Sequence, residues 1–178
     1  IQEMRELGLF GLSIPEEYGG LGLSMEQECE VIHELCKASL AFRSVIGTTV
    51  GIGSQGLVMT GTEEQKRQYL PRLASGEIMS SFCLTEPEAG SDAASLRTVA
   101  VRDGDDYVLN GTKRYITNAL RAGMLTVMAR TDSSKKGASG ISAFLVDPAT
   151  SGITIAKADE KMGQRGTKTS DVIFEDAR

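Results

Sequence analysis

The sequence of 178 residues has a single histidine, three cysteines and no apolar run near the roughly 18 residues that a membrane-spanning helix requires. His33 therefore cannot belong to a two-histidine metal site, and no cysteine or carboxylate cluster around it has ligand spacing. No nucleophile elbow and no phosphate loop of the G-x-x-x-x-G-K-[ST] kind occur. Three cysteines do not make a disulfide framework, which indicates a reducing compartment. The net charge of −5, without a basic stripe, argues against nucleic acid as a partner.

The sequence also lacks an initiating methionine and a signal peptide, since residues 1–6 (IQEMRE) are charged and have a helical pattern. The chain is therefore either processed or incomplete, and we expect it to be incomplete. The length allows one large or two small domains. An apolar fraction of 40% and a charged fraction of 24% are typical of a globular protein with a buried core.

Up to about residue 77 the pattern is helical. Ser24 and Thr62 each open a capping box, with Gln27 and Gln65 three residues later, which predicts the starts of two helices. In a capping box the hydroxyl and the amide side chain satisfy backbone N–H groups that have no partner in the helix. Pro71 is expected to break or restart the second helix.

An apolar stripe along the first of these helices predicts a buried face, on which the two cysteines pack as small hydrophobic side chains. Its members are Met25, Cys29, Ile32, Cys36 and Leu40. Residues 44–59 are predicted to be helical from their position between the two capped helices. Residues 51–56 (GIGSQG) match the dinucleotide fingerprint G-x-G-x-x-G. The helix that should follow would be interrupted almost at once by residues 60–62 (TGT), and no second parallel strand follows, so we reject that interpretation.

From residue 78 onward the pattern changes to short runs with β-branched and alternating character, which predicts strands. The predicted strands are residues 78–84, 96–102, 107–109, 112–117, 124–130, 141–147, 153–157 and 171–175. Asn110 and Gly111 lie between two of these runs, and Asn-Gly is typical of a type I′ turn, so a hairpin is predicted there. Residues 133–140 are predicted to be a polar surface loop. Strands at this spacing favour an antiparallel sandwich or barrel.

The segment 82–92 (FCLTEPEAGSD) is the strongest candidate for a binding site. A strand ends at Thr85, Pro87 stiffens a turn, Gly90 frees the backbone, and Ser91 and Asp92 add a hydroxyl and a carboxylate. Such a strand exit exposes N–H groups and hydroxyls that suit a heteroaromatic ring and a phosphate. An ordinary loop with a capped turn explains the same residues, and spacing alone favours that explanation.

These residues resemble the acyl-CoA dehydrogenase family, whose signature T-E-P-x-A-G-S-D is similar to residues 85–92. Five further landmarks of that family occur in the same order. They are residues 14–20 (IPEEYGG), 61–77 (with GTEEQK, YLP and SGE), 110–118 (NGTKRYITN), 161–166 (KMGQRG) and 174–176 (FED).

The resemblance implies an α+β multidomain fold: an incomplete N-terminal helical domain over residues 1–77, an antiparallel β-sandwich or barrel-like, flavin-binding middle domain over residues 78–178, and a C-terminal helical bundle that this sequence does not contain. It implies FAD as cofactor and dehydrogenation of an acyl-CoA thioester to a trans-2-enoyl-CoA. The implied flavin contacts are Phe82, Cys83, Leu84, Thr85, Gly90, Ser91, Tyr115, Ile116 and Thr117. The implied substrate contacts are Ser91, Thr169 and Ser170, and no metal is implied.

By the same resemblance the Thr85 region bonds the pyrimidine edge of the flavin, Thr117 lies near N5, and Ser91 lies by phosphate and substrate. Two positions depart from the family pattern: Tyr115 stands where many relatives have Trp, and residues 168–170 (KTS) stand where many have D-T-R. The chain-length preference and the CoA contacts therefore stay open. The glutamate base of the family belongs to the C-terminal bundle, so no catalytic residue is expected in this sequence.

The resemblance further implies an electron acceptor such as an electron-transfer flavoprotein and a homo-oligomer, either a dimer or a tetramer. It implies a cytoplasmic location in a bacterium or the mitochondrial matrix in a eukaryote. Two other functions stay open on the residues alone. One is an acyl-CoA oxidase-like flavoenzyme on the same scaffold, and the other is a non-catalytic module that binds acyl-CoA or a partner.

Overall fold

Five α-helices and no strand form the first 74 residues of the computed structural model, which describes the chain from Ile1 to Arg178. The helices are α1 (Gln2–Glu6), α2 (Met25–Ala38), α3 (Leu40–Thr48), α4 (Gln55–Thr60) and α5 (Glu63–Ala74). Ser24 and Thr62 both make complete capping boxes at the starts of α2 and α5. The two predicted helix starts are therefore confirmed.

Pro71 lies inside α5, which continues without a break to Ala74, so the predicted interruption is wrong. Leu70 and Leu73, on either side of the proline, are fully buried. Burial of their side chains stabilises the helix and offsets the hydrogen bond that a proline cannot donate.

The buried stripe predicted on α2 is also wrong. No residue of α2 is buried, Met25 and Cys29 are exposed, and Cys36 is half-buried. The helix ends at Ala38, so Leu40 belongs to the next helix, where it is again exposed. Helical periodicity identifies an apolar face, but it does not show what packs against that face.

Residues 44–59 are mostly helical, as predicted, but a kink interrupts them. A π-helical stretch at Thr49–Gly53 joins α3 to α4, and Gly51 has a non-helical backbone there. A Cβ atom on Gly53 would lie 1.9 Å from the Ser80 Oγ atom, so this close approach requires glycine. The G-x-G-x-x-G match thus falls on a helical kink, and of its glycines only Gly53 has a packing role.

Seven strands follow and form one sheet. They are β1 (Met79–Cys83), β2 (Val99–Asp103), β3 (Asp106–Thr117), β4 (Ala122–Arg130), β5 (Ile141–Val146), β6 (Ile153–Ile155) and β7 (Thr169–Ala177). The order is β1-β4-β2-β3-β7-β6, with β5 paired to β4. The pairs β2–β3, β3–β7, β4–β5 and β6–β7 are antiparallel, whereas β2 and β4 meet in a short parallel pairing. The fold class, helices followed by a mainly antiparallel curled sheet, is confirmed.

The hairpin predicted at Asn110 and Gly111 is wrong, because both residues lie in the middle of the long strand β3. The tight turn instead joins β2 to β3 at residues 103–106, where Asp103 pairs with Asp106 and Gly104 has a φ of 66°. The Asn110 side chain bonds a residue in a bulge of the neighbouring strand β7. This side chain donates to the Asp176 carboxylate (3.0 Å) and accepts the Asp176 backbone N–H (2.9 Å).

The chain divides into two compact units, one of residues 1–80 with 160–167 and the other of residues 81–159 with 168–178. The core of the first unit contains Met4, Leu9, Phe10, Leu12, Val45, Ile46, Val50 and Met79. The core of the second contains Cys83, Ala100, Leu109, Ile116, Ala119, Leu125, Val127, Ala129, Val172, Phe174 and Ala177. None of the helices combines the length and hydrophobicity needed to cross a membrane.

Candidate functional site

A bulge near the end of β3 determines which side chains leave the core. Lys113 pairs with Val172 of β7, and Ile116 pairs with Ser170, so β3 advances three residues while β7 advances two. Side chains alternate between the two faces of a strand, and one extra residue reverses the alternation. Leu109 and Lys113 are buried before the bulge, and Ile116 is buried after it. The side chains of Tyr115 and Thr117 therefore lie on the face of β3 that is turned away from the core.

Tyr115 occupies the bulge with a φ of 59°, a left-handed conformation that is uncommon for a bulky residue. Its ring is large, apolar and 58% exposed, and the Arg114 guanidinium lies 4.8 Å from the ring centroid. Arg114 in turn pairs with Asp171 at 2.9 Å. A left-handed non-glycine residue costs on the order of 1–3 kcal/mol, and such strain is concentrated at functional sites. The geometry thus supports a binding role for this strand end.

The signature loop, residues 85–92, begins beside the same bulge. The Arg114 backbone N–H donates to the Thr85 carbonyl (2.8 Å), which joins the strand exit after β1 to β3. The Ser81 hydroxyl donates to the Thr117 carbonyl (2.8 Å), so a second bond joins the two strand ends. Thr85 and Thr117, which the sequence places 32 positions apart, thus lie in two strand ends that hydrogen bonds hold side by side, residues 81–85 and 114–117, and these together form a polar edge.

Beneath this edge lies an ion pair between Lys113 and Glu86, whose side chains are 0% and 6% exposed. The Lys113 Nζ atom is 2.8 Å from Glu86 Oε1 and donates to the Leu84 carbonyl at 3.1 Å. Burial raises the pKa of Glu86, but hydrogen bonds from Lys113 and from the Arg97 and Thr98 backbone lower it by more. Glu86 therefore stays ionised at neutral pH.

The residues that the resemblance assigned to the flavin divide into an accessible and a buried set. Phe82, Leu84, Thr85 and Thr117 are half-buried, and Gly90, Ser91 and Tyr115 are exposed. Cys83 and Ile116 are fully or nearly fully buried in the core of the sheet, so only their backbone can contact a ligand. Hydrogen bonds hold the strand exit at Thr85 against the strand end that carries Tyr115 and Thr117, whereas no hydrogen bond joins Ser91 to either segment.

The two assigned substrate residues of β7 differ in accessibility. Thr169 is half-buried and donates its hydroxyl to Asp159 (2.7 Å). Ser170 is 1% exposed, and no protein group bonds its hydroxyl. Ser170 pairs with Ile116, one residue before Thr117, so it supports the strand end from within the sheet.

Cys83 supplies a test of this division between buried and accessible residues. Burial raises the pKa of its thiol to about 12 from an ordinary value of 9.0, although the Lys113 charge opposes the shift. The thiol therefore stays protonated and inaccessible, while Cys29 is exposed. We expect a thiol reagent at pH 8 to modify Cys29 at once and Cys83 only on unfolding, as peptide mass spectrometry can show. Rapid modification of Cys83 in the folded protein would contradict the buried placement.

The donor set of this edge fits a flat heteroaromatic group that carries a phosphate. Thr85 and Thr117 provide hydroxyls beside backbone amides, and Tyr115 provides an aromatic face. A Cβ atom on Gly90 would meet no other atom within 4 Å, so the loop has open space at that point, next to the exposed Ser91 hydroxyl. The structure gathers no three His, Cys, Asp or Glu side chains that could hold a metal ion.

Comparison with known families agrees with this combination of a helical region and a sheet with a polar edge. The sequence model of the acyl-CoA dehydrogenase N-terminal domain matches residues 1–77, and that of the acyl-CoA dehydrogenase middle domain matches residues 81–177. The chain belongs to the acyl-CoA dehydrogenase family.

Similar proteins include an acyl-CoA dehydrogenase of Bacillus subtilis, 40% identical over 99% of this chain and 46% of its own length. An acyl-CoA dehydrogenase of Bacillus anthracis, solved in complex with FAD, is 39% identical with a TM-score of 0.89, over 99% of this chain and 30% of the other. The prolyl acyl carrier protein oxidase AnaB is 34% identical with a TM-score of 0.94, over 99% of this chain and 47% of the other. The chain thus spans about half the length, or less, of these relatives.

The motifs did not indicate the role of Lys113, which bonds both Glu86 and the Leu84 carbonyl beneath the candidate site. One signal was available in the sequence. Lys113 shares the strand phase of Leu109, the phase that faces the core, and a lysine there requires a buried acidic partner. The acidic partner could not be identified, because Glu86 lies 27 positions away.

Proposed function

We propose that this chain forms the FAD-binding part of an enzyme that oxidises an acyl-CoA thioester to its trans-2-enoyl-CoA. The observation that carries the proposal is the polar sheet edge, where hydrogen bonds hold the strand exit at Thr85 against the strand end that carries Tyr115 and Thr117, inside the region that matches the middle domain. The FAD complex of the Bacillus anthracis relative supports the choice of cofactor. Bound FAD supplies the hydride acceptor for the β-carbon of the substrate.

The residues of this chain hold and orient the reactants in the proposed reaction. The Thr85 region bonds the pyrimidine edge of the ring, and the Thr117 hydroxyl bonds the edge at which hydride arrives. Fixed donors of this kind stabilise charge as it develops in the transition state. Ser91 serves the phosphate and the substrate, and Thr169 lines the approach of the acyl-CoA. Ile116 and Cys83 contribute through their backbone and by packing beneath the edge.

None of the three acids of the signature loop is proposed as the base that removes the α-proton, and Glu88 pairs with Arg97. Glu86 is buried and already accepts three hydrogen bonds, from Lys113, Arg97 and Thr98. Asp92 accepts a hydrogen bond from the neighbouring Ser95 hydroxyl in a local turn. We assign the base to a group outside these 178 residues.

The test is to express the complete reading frame, release any flavin with acid and separate it from FAD and FMN standards by chromatography. We expect a yellow protein that contains FAD, and we expect an acyl-CoA to bleach the flavin absorbance under anaerobic conditions. A colourless protein that binds no FAD would sink the proposal and favour a non-catalytic binding module. Released FMN would refute the choice of cofactor.

An oxidase is the second candidate, and the similarity to the prolyl acyl carrier protein oxidase favours it. The two candidates differ in whether oxygen reaches the reduced flavin. Hydrogen peroxide formed in step with turnover in air would identify an oxidase, and its absence would identify a dehydrogenase.

We also propose partners and a cellular location for the enzyme. We propose an electron-transfer flavoprotein as the acceptor for the dehydrogenase, and a homo-oligomer, either a dimer or a tetramer, as its assembly. The location is the bacterial cytoplasm or the mitochondrial matrix. Reduction of a purified electron-transfer flavoprotein by acyl-CoA in the presence of the enzyme tests the first of these.

A further inference from the structure

One buried carboxylate closes the loop that carries Gly90 and Ser91. Glu86 lies at one end of that loop, and its two oxygens accept the backbone N–H groups of the residues at the other end. The acceptors are Oε2 for Arg97 at 2.6 Å and Oε1 for Thr98 at 2.9 Å. Residues 87–96 therefore leave and rejoin the sheet at a point that a single side chain defines.

Lys113 attaches this closure to β3. Its ammonium contacts Glu86 Oε1 and the Leu84 carbonyl, and the next residue, Arg114, binds the Thr85 carbonyl through its backbone. Lys113 is also the last regularly paired residue before the bulge. Three segments thus meet at the Lys113–Glu86 pair: the strand exit after β1, the residues that lead into β2 and the bulged end of β3.

Stability alone is a weak reason for such a pair. Removing two charges from water offsets most of their attraction, and well-packed apolar residues often replace a buried ion pair without loss. Apolar residues cannot replace the directional hydrogen bonds of the pair, because Lys113 donates to the Leu84 carbonyl and Glu86 accepts two backbone N–H groups. The pair therefore determines where the loop lies.

We propose that Lys113 is a positioning residue of the flavin site, which acts through Glu86 and the Leu84 carbonyl. It fixes the loop of residues 87–96 and the Thr85 strand exit against the outward-facing Tyr115 and Thr117. Lys113 is fully buried and contacts no ligand itself. The inference rests on the proposed function, because it concerns how the site is held for FAD.

The test uses the enzyme from its complete reading frame, with the double variant Lys113→Met/Glu86→Gln. The methionine fills the lysine's space and the glutamine oxygen still accepts one of the two backbone N–H groups, so no buried charge is left unpaired. We expect the circular dichroism spectrum to be unchanged and hydrogen exchange in residues 87–96 of the apoprotein to become faster. We expect the dissociation constant for FAD to rise about tenfold or more, because small displacements of positioning groups are costly.

The matched control is Val127→Ala in β4, a fully buried core substitution in the same unit. It should lower the unfolding midpoint and leave the FAD dissociation constant within about twofold of the parent, since it leaves all bonds to the loop in place. Equal weakening of FAD binding by the control, or a double variant that keeps parental affinity and exchange, would overturn the proposal. If the unsubstituted enzyme binds no FAD, the proposed function is refuted instead. Hydrogen exchange in residues 87–96 then still tests whether Lys113 and Glu86 hold this loop in place.

Discussion

The Gly111→Ala variant should lose about 3 kcal/mol of unfolding free energy, although the substitution adds a single methyl group. Gly111 has a φ of 149°, and an added Cβ atom would lie 2.5 Å from Thr98 Oγ1 and 2.8 Å from Thr98 Cα. The second contact is with backbone, which cannot rotate away, so β2 and β3 must separate at the point where Thr98 donates to Glu86. Urea unfolding followed by circular dichroism measures the loss.

Gly163→Ala is the control for this substitution. Its Cβ atom would meet nothing within 4 Å, and its φ is not positive, so its stability should stay within about 0.5 kcal/mol of the parent. Gly111→Ala with the stability of the control would mean that β2 and β3 are not in contact at Thr98 as described.

The Thr117→Val variant of the full-length enzyme should fold normally, but acyl-CoA should reduce its flavin about tenfold more slowly. Its flavin absorbance spectrum should also be shifted. Valine keeps the shape and strand preference of threonine and removes only the hydroxyl. A lost hydrogen bond costs about 0.5–1.5 kcal/mol in binding, and more where charge develops in the transition state. The Ser81 bond to the Thr117 carbonyl does not involve this hydroxyl, so the backbone should stay in place. Stopped-flow absorbance measures the reduction rate.

Two matched variants separate a hydroxyl effect from a general effect of substitution in β3. Thr117→Ser keeps the hydroxyl and should retain most of the rate. Thr112→Val removes a hydroxyl from the same strand before the bulge and should leave rate and spectrum unchanged. If Thr117→Val also leaves both unchanged, the hydroxyl does not contact the flavin.

Local signals in the sequence were sufficient for much of the fold. The capping boxes at Ser24 and Thr62 depend only on residues three positions apart, and both helices begin where they predict. Runs of β-branched and alternating residues identified at least part of every strand, although β1 and β4 bury residues on both faces and β5 has no fully buried residue. The family landmarks further identified the strand exit at Thr85 as a candidate site, and the structure joins it to the end of β3.

The errors arose where a distant partner decides the local conformation. Asn110 and Gly111 have the composition of a turn, yet Asn110 bonds Asp176, 66 positions away, and Gly111 packs against Thr98. The Lys113–Glu86 pair and the bulge at Tyr115 likewise depend on strand register, which no short window of sequence contains. Pro71 stays helical because Leu70 and Leu73 are buried beside it.

The pairing of Asn110 with Asp176 also bears on the chemical ageing of the protein. An asparagine followed by glycine is prone to deamidation, in which the glycine backbone nitrogen attacks the side-chain amide carbon, and asparagine is among the thermolabile residues. Here both ends of that amide are bonded to Asp176, and the glycine is held in an extended strand. The attack therefore requires β3 to separate from β7, so deamidation at this position records how often the sheet opens over the lifetime of the molecule.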